Sequence, residues 1–312
     1  MTKRVESGML NNNTWPSLPL DEWAETYQTL HLWTQIVGKT RLALAPMQNH
    51  WWNTTLYVTS RGLGTSSMPD GSRTFDVEFD FIDHVLTIRT SDGRFAELPL
   101  VAQSVADFFT QYMELLRALG IHPRIWQVPQ ELADRTRFSD DTHHRSYDSD
   151  AAHRAWQAIV QADRLLTIFR GKFLGKCSPS HFFWGGFDMA CTRFSGRSAP
   201  QHPGGNPYMA DWVNREAYSH ECISAGWWPG SVDGPVKEPA FYAYAYPEPA
   251  GCPDAKIRPA EAYYHPEAHL WVLPDESVRH ANDRDARILE FFDSTYSVAA
   301  DLGGWDRKAL ER

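Results

Sequence analysis

Apolar side chains recur along the first half of the chain with two different periods, and the switches between them mark out the elements. Leu20, Trp23, Tyr27, Leu30, Thr34 and Val37 are spaced as one face of a helix and Gly38 follows as a stop signal, so a helix is predicted over 20–37. Residues 51–61, rich in aromatic and β-branched side chains, predict a strand. Phe75, Val77, Phe79 and Phe81 then alternate strictly with Asp76, Glu78 and Asp80, which gives a strand with one apolar and one acidic face. Strands over 84–90 and 95–100 are joined by the Asp92-Gly93 turn signal. A helix over 104–119 turns Val105, Phe108, Phe109, Tyr112, Leu116 and Leu119 inward and stops at Gly120. A strand over 121–128 is expected to close this half.

A polar stretch, 129–149, reads as a linker. Beyond it the pattern predicts a long helix over 150–173, strands over 182–194, 221–228, 241–246 and 269–273, a short helix over 209–217, and a last helix over 284–300. The order helix, strands, helix thus occurs twice, and short matches recur with it. Gly38-Lys39 answers Gly175-Lys176, and Trp52 and Arg61 have the same separation as Trp184 and Arg193. Phe108-Phe109 followed by Leu119-Gly120 has the spacing of Phe291-Phe292 followed by Leu302-Gly303. The expected fold is α+β with an internal duplication: two lobes, each with an antiparallel sheet and flanking helices. An N-terminal lobe over 15–128 and a C-terminal lobe over 150–312 follow a disordered tail, 1–14. A cleft between them is the natural ligand site.

Composition narrows the class. Of 312 residues, 42% are apolar and 22% charged, as in ordinary globular proteins. Thirteen Trp and 12 Tyr suit pocket walls or an aromatic core. A net charge of −9 with no basic stripe disfavours nucleic acid as a partner. The first 14 residues are polar and no apolar run is long enough to span a bilayer, so a cytoplasmic protein with no membrane partner is expected. Cys177, Cys191, Cys222 and Cys252 form no C-x-x-C pair, and free thiols are expected instead of a four-sulfur zinc site.

Several stretches carry a family resemblance. They include Leu30-His31-Leu32-Trp33-Thr34-Gln35-Ile36-Val37-Gly38-Lys39, His50-Trp51-Trp52, Lys176-Cys177-Ser178-Pro179, His181-Phe182-Phe183-Trp184-Gly185 and Thr192-Arg193-Phe194-Ser195-Gly196-Arg197. His202-Pro203-Gly204-Gly205, Arg215-Glu216-Ala217-Tyr218-Ser219-His220-Glu221 and the Phe241–Pro247 run belong with them. Together with Trp15-Pro16 they resemble an uncharacterised bacterial family of about 300 residues, a domain of unknown function, over nearly the whole chain after residue 14. The resemblance implies a single-chain bacterial protein and carries no activity, cofactor or catalytic residue.

The chemistry must therefore be read from the residues. On one extended strand, Trp184, Asp188 and Thr192 would face away from a core built by Phe183, Phe187, Met189 and Cys191. Gly185 and Gly186 would let a ligand come close, and Arg193 or Arg197 could fork a carboxylate or phosphate; a structural Asp–Arg pair is the alternative. Tyr218, His220 and Glu221 offer an acid–base set, or the solvated exit of a helix. Tyr242 and Tyr244 stand on one strand face with Tyr246 and could wall a pocket. His181, His202 and His220 supply ligand atoms for one divalent metal ion, without diagnostic spacing. Asp76, Glu78 and Asp80 read as a solvated face. No nucleophile elbow, Walker loop or dinucleotide fingerprint is present.

The functional expectation is a small-molecule enzyme with an aromatic-lined cleft, working by acid–base or mononuclear-metal chemistry on an anionic or aromatic substrate. His220, Glu221, Asp188 and Tyr218 would be catalytic, and Arg193, Arg197, Trp184, Tyr242 and Tyr244 would bind substrate. The alternative is a non-catalytic protein that binds or senses a small ligand in the same cleft.

Overall fold

A computed structural model describes residues 15–232 and 234–312. The tail expected over 1–14 lies outside the described residues. Helix α1 (Leu20–Leu44) precedes strands β1 (Tyr57–Val58), β2 (Gly62–Gly64), β3 (Met68–Asp70), β4 (Arg73–Asp80), β5 (Val85–Thr90) and β6 (Phe95–Pro99), and α2 (Val105–Ala118) follows. After α3 (Ser149–Gly171) come β7 (His181–Phe183), β8 (Asp188–Ser198), α4 (Asp211–Ala217), β9 (His220–Trp228) and β10 (Ala240–Tyr246). The chain ends with β11 (Tyr263–His265), β12 (Leu270–Pro274), α5 (Asp275–Arg279), α6 (Arg284–Leu302) and α7 (Arg307–Leu310).

Two six-stranded antiparallel sheets result, with strand orders β1-β2-β4-β5-β6, β3 pairing β4, and β11-β12-β10-β9-β8-β7. They meet edge to edge: Leu56 and Phe182 exchange backbone hydrogen bonds of 2.9 and 2.8 Å. The α+β class with one antiparallel sheet in each half is therefore present. Helices start where the sequence supplies caps, with Ser104, Asp148 and Asp283 accepting the Asp107, Ala151 and Ala286 amides. Helices α3 and α6 cover one face of the second sheet, where Phe241 meets Phe292 and Trp15 at ring distances of 5.8 and 5.6 Å.

Helix α1 runs between the halves and is buried on every side from Thr29 through Arg41. It does not stop at Gly38. A methyl group there would fall on the Trp184 indole, so Gly38 provides close approach within the helix, not an end. This also separates Gly38 from Gly175, which lies beyond the end of α3. Trp52 follows a 3-10 turn while Trp184 lies in a hairpin turn, and Arg61 precedes β2 while Arg193 lies within β8. These markers occupy unlike places, and the structure does not establish a duplication.

Other expectations are corrected locally. Residues 51–61 hold only β1, because Asn49–Trp51 form a 3-10 turn with positive φ at His50 and Trp51. Residues 121–128 form no strand, and Pro123 there has no amide hydrogen to give a ladder. Residues 182–194 are a hairpin, not one strand: β7 and β8 pair with Phe183 opposite Asp188, and Phe187 takes φ of 56° in the turn. Gly62 and Gly64 lie in β2, where a side chain at Gly62 would collide with the Phe79 carbonyl. The stretch 129–149 joins the halves and packs as well, with Phe138 fully buried.

Candidate functional site

Alternation along β8 sends Met189, Cys191 and Arg193 toward α3 and leaves Asp188, Ala190, Thr192 and Phe194 on the other face. That second face is the floor of a cavity of about 900 Å³. Tyr242 and Tyr244 of β10 and Tyr218 after α4 continue the floor, while Trp51, Trp52, Trp126, Trp184 and Trp212 supply most of the wall. Trp126 and Trp212, 72% and 60% exposed, stand at its mouth. A hollow of about 740 Å³ along α6 is lined by opposite charges already engaged in exposed ion pairs such as Arg258–Glu290 and Arg287–Glu261. It lacks the convergent apolar lining of a ligand site.

Two carboxyl groups meet in the larger cavity. The Asp188 carboxylate accepts a hydrogen bond from the Tyr242 hydroxyl, and Gly226 leaves room for that ring. Glu131 approaches from the opposite side. A methyl group on Gly186 would stand 2.8 Å from Asp188 Oδ1 and 3.9 Å from Glu131 Oε2, so the two carboxyls flank one spot. A side chain at Gly185 would land on the Glu131 carboxyl itself. The paired glycines thus clear space for two acids.

Helix α1 holds this arrangement with three polar side chains at successive four-residue steps, which place them along one face. His31 Nε2–H donates to the Gly185 and Trp184 carbonyls at 2.9 and 3.0 Å. Gln35 both donates to the Gln130 carbonyl at 2.9 Å and accepts the Gln130 amide at 2.7 Å. Lys39 Nζ donates to the Val128 carbonyl at 2.7 Å. The turn beside Asp188 and the segment carrying Glu131 are therefore positioned by the same helix. Trp184 is fixed further by its indole N–H, 2.7 Å from the Thr54 carbonyl.

The electrostatics follow from limited hydration. Burial pushes the Asp188 carboxyl up to about 6 against the opposing Tyr242 hydrogen bond. Glu131 is open to the cavity yet ringed by protein, and burial, then the Asp188 charge, push it up to about 7. Lys39 is brought down to about 8 by burial and then by Arg135. His31 falls to about 4 for want of solvent, opposed by its two carbonyl bonds, and stays neutral. His50 Nδ1–H donates to the Ala217 carbonyl at 3.0 Å, and its Nε2 accepts from Lys176 Nζ at 2.6 Å. Left-handed backbone at His50, Trp51 and Glu131 puts three strained residues in one cavity wall, where the surrounding packing must hold them.

Of the residues named from sequence, Asp188, Trp184, Tyr218, Tyr242 and Tyr244 line the cavity together. Tyr218 donates to the Tyr244 hydroxyl at 3.2 Å. The others stand elsewhere. Arg193 points to the α3 side of its sheet, donating to the Phe169 carbonyl and stacking 3.5 Å from the Phe169 ring centroid. Arg197 and Glu221 form an ion pair at 2.6 Å that also ties the Gly303 carbonyl, at 2.6 Å from Arg197, so both serve the end of α6. His220 lies 5.7 Å from His50 ring to ring, His181 contacts Thr55 at 3.2 Å, and His202 stacks behind Tyr218 at 5.0 Å. These three histidines do not fit one ion, and among the described residues no group of three His, Cys, Asp or Glu is arranged to hold a metal. Arg193 is misplaced because its neighbour Thr192, not Arg193, shares the Asp188 face, and Arg197 lies past the register shift in β8 between Phe194 and Ser198. Sequence reasoning misses Glu131, Lys39 and His50. Glu131 sits in a polar stretch with no periodicity, whereas His31, Gln35 and Lys39 are legible as a polar stripe within an otherwise buried helix.

Fold and site together define an α+β protein with an open-mouthed, aromatic-lined cavity in which two carboxyl groups flank one spot. The chain belongs to the family of unknown function DUF5996, which it matches over residues 15–312. No curated protein and no solved structure matches it. No helix of the described residues is long and apolar enough to cross a membrane.

Proposed function

We propose that the protein is a small-molecule enzyme of the cytoplasm that transfers protons on an aromatic substrate held in this cavity. The observation that carries the reading is the Glu131–Asp188 pair flanking one spot beside Gly186 in a cavity lined by aromatic rings. Two acids whose pKa values are raised toward neutrality can give and take a proton in turn at working pH. Tyr242, bonded to Asp188, favours its ionised form, so Asp188 acts as base and Glu131 as acid. Flat walls of Trp and Tyr suit a planar ring. Lys39 and Arg135 at the cavity wall supply positive charge for an anionic group on the substrate.

The test pairs binding with turnover. Tryptophan fluorescence is titrated with a panel of aromatic acids and their neutral analogues, and any compound that quenches it is incubated with enzyme and followed by mass spectrometry and deuterium exchange from solvent. The expected result is solvent deuterium entering, or product forming, with wild type, and at least a hundredfold loss in Asp188→Asn and in Glu131→Gln while quenching persists. Equal quenching with no exchange or product in wild type would replace the enzyme by a binding protein.

A further inference from the structure

The four cysteines are all free, but they differ in setting. Cys222 and Cys252 are buried singly, with no sulfur neighbour among the described residues, whereas Cys177 Sγ and Cys191 Sγ lie 3.7 Å apart. Their proximity has a backbone origin. The segment 176–178 lies beside β8, with the Phe194 amide bonded to the Lys176 carbonyl at 3.0 Å and the Ser178 amide to the Thr192 carbonyl at 2.8 Å. Cys177 thereby stands opposite Arg193, and Cys191, two residues before Arg193, shares its face. Cys177 is partly open to solvent, while Cys191 is sealed beneath it.

We propose that Cys177 and Cys191 form a redox-active thiol pair that hydrogen peroxide converts to an intramolecular disulfide and a small thiol reductant restores. Sulfurs in contact need close only to about 2.0 Å. Cys177 lies in a connecting segment joined to β8 through the isolated Cys177–Arg193 bridge, while Cys191 lies within β8, paired with Ala225 of β9. Cys177 is the sulfur that a peroxide can reach, and contact with Cys191 lowers its pKa against the effect of burial, with the Arg193 and Arg170 charges adding to the lowering, so it is the attacking thiolate. Its sulfur bonds to one peroxide oxygen, the O–O bond breaks, and hydroxide leaves to be protonated as water. The Cys191 sulfur then attacks the sulfenic sulfur, the S–O bond breaks, and a second water departs with the Cys191 proton. The two sulfurs together lose two electrons, and the peroxide gains them. Ala190 and Thr192, on either side of Cys191, face the aromatic cavity, so this chemistry happens directly beneath its floor.

The experiment treats the full chain with hydrogen peroxide, alkylates under denaturing conditions with iodoacetamide, and maps unreduced peptides by mass spectrometry. Wild type is expected to lose two of its four alkylatable thiols, to yield a linked peptide joining Cys177 to Cys191, and to recover both thiols with dithiothreitol. Cys191→Ser is expected to carry Cys177 onward to sulfinic acid, for lack of a partner. Four alkylatable thiols after treatment of wild type, or a Cys177 that goes to sulfinic acid while Cys191 stays free, overturns the proposal. The wild-type map decides this whether or not a variant folds.

Discussion

Replacing Gly38 by Ala probes the packing that sets the cavity wall. In an exposed helix interior this change stabilises by about 1 kcal/mol. Here the new methyl group falls on the Trp184 indole, which cannot yield freely because its N–H is held 2.7 Å from the Thr54 carbonyl. Overpacking of this kind costs about 1–3 kcal/mol, and displacing the indole leaves a buried carbonyl unpaired at a further cost of about 1–3 kcal/mol. Set against the helix gain, the net loss is about 3 kcal/mol. The assay is urea unfolding of wild type, Gly38→Ala, Trp184→Ala and the double variant. Trp184→Ala alone is expected to cost about 3–5 kcal/mol. Once the indole is gone the sign at Gly38 reverses, and Ala should stabilise by up to about 1 kcal/mol. A coupling of about 4 kcal/mol between the two positions therefore follows. If Gly38→Ala has the same effect in both backgrounds, or stabilises wild type, the close approach of α1 to the hairpin turn is wrong.

Asp188, with its folded pKa raised, contributes stability that is complete below the unfolded value near 4 and is lost as pH rises through about 6; unfolding free energy measured from about pH 4 to pH 7 should therefore fall less in Asp188→Asn than in wild type. Tyr242→Phe removes the hydrogen bond that favours the carboxylate, so the Asp188 resonance in a carbon-detected NMR titration should move to higher pH; an unchanged or lower midpoint would contradict the bond. Arg193→Ala should destabilise by about 3 kcal/mol or more in chemical unfolding, since it empties a buried site and removes a guanidinium that bonds the Phe169 carbonyl and stacks on the Phe169 ring. Arg197→Ala, removing an exposed pair with Glu221, should cost no more than about 1 kcal/mol.

Sequence pattern reaches most of the strands and helices, because their apolar periods are those of half-buried elements: Phe75 to Phe81 and Val105 to Leu116 are read directly. It fails where long-range packing overrides a local signal. Gly38 ends helices in isolation, and only the Trp184 ring, far along the chain, explains why a glycine belongs inside this one. The hairpin at 184–187 is hidden because Phe183, Phe187 and Met189 keep an apolar run through the turn. In the site, strand alternation correctly puts Asp188 with Thr192 and groups the β10 tyrosines, since those are properties of single strands. Glu131 cannot be found this way, because its approach to Asp188 is made by Gln35 across the fold. The arginines mislead for the opposite reason: their charge suggests a ligand role, while a guanidinium can equally stack on Phe169 or cap a helix end.

The edge-to-edge exchange at Leu56 and Phe182 has a practical corollary for anyone dividing the gene. Severing the chain between the halves would strip α1 from the hairpin it braces and leave each fragment with a raw strand border, ready to recruit any other chain nearby. Co-expression should rescue what separate expression precipitates, since each piece carries the other's missing neighbour.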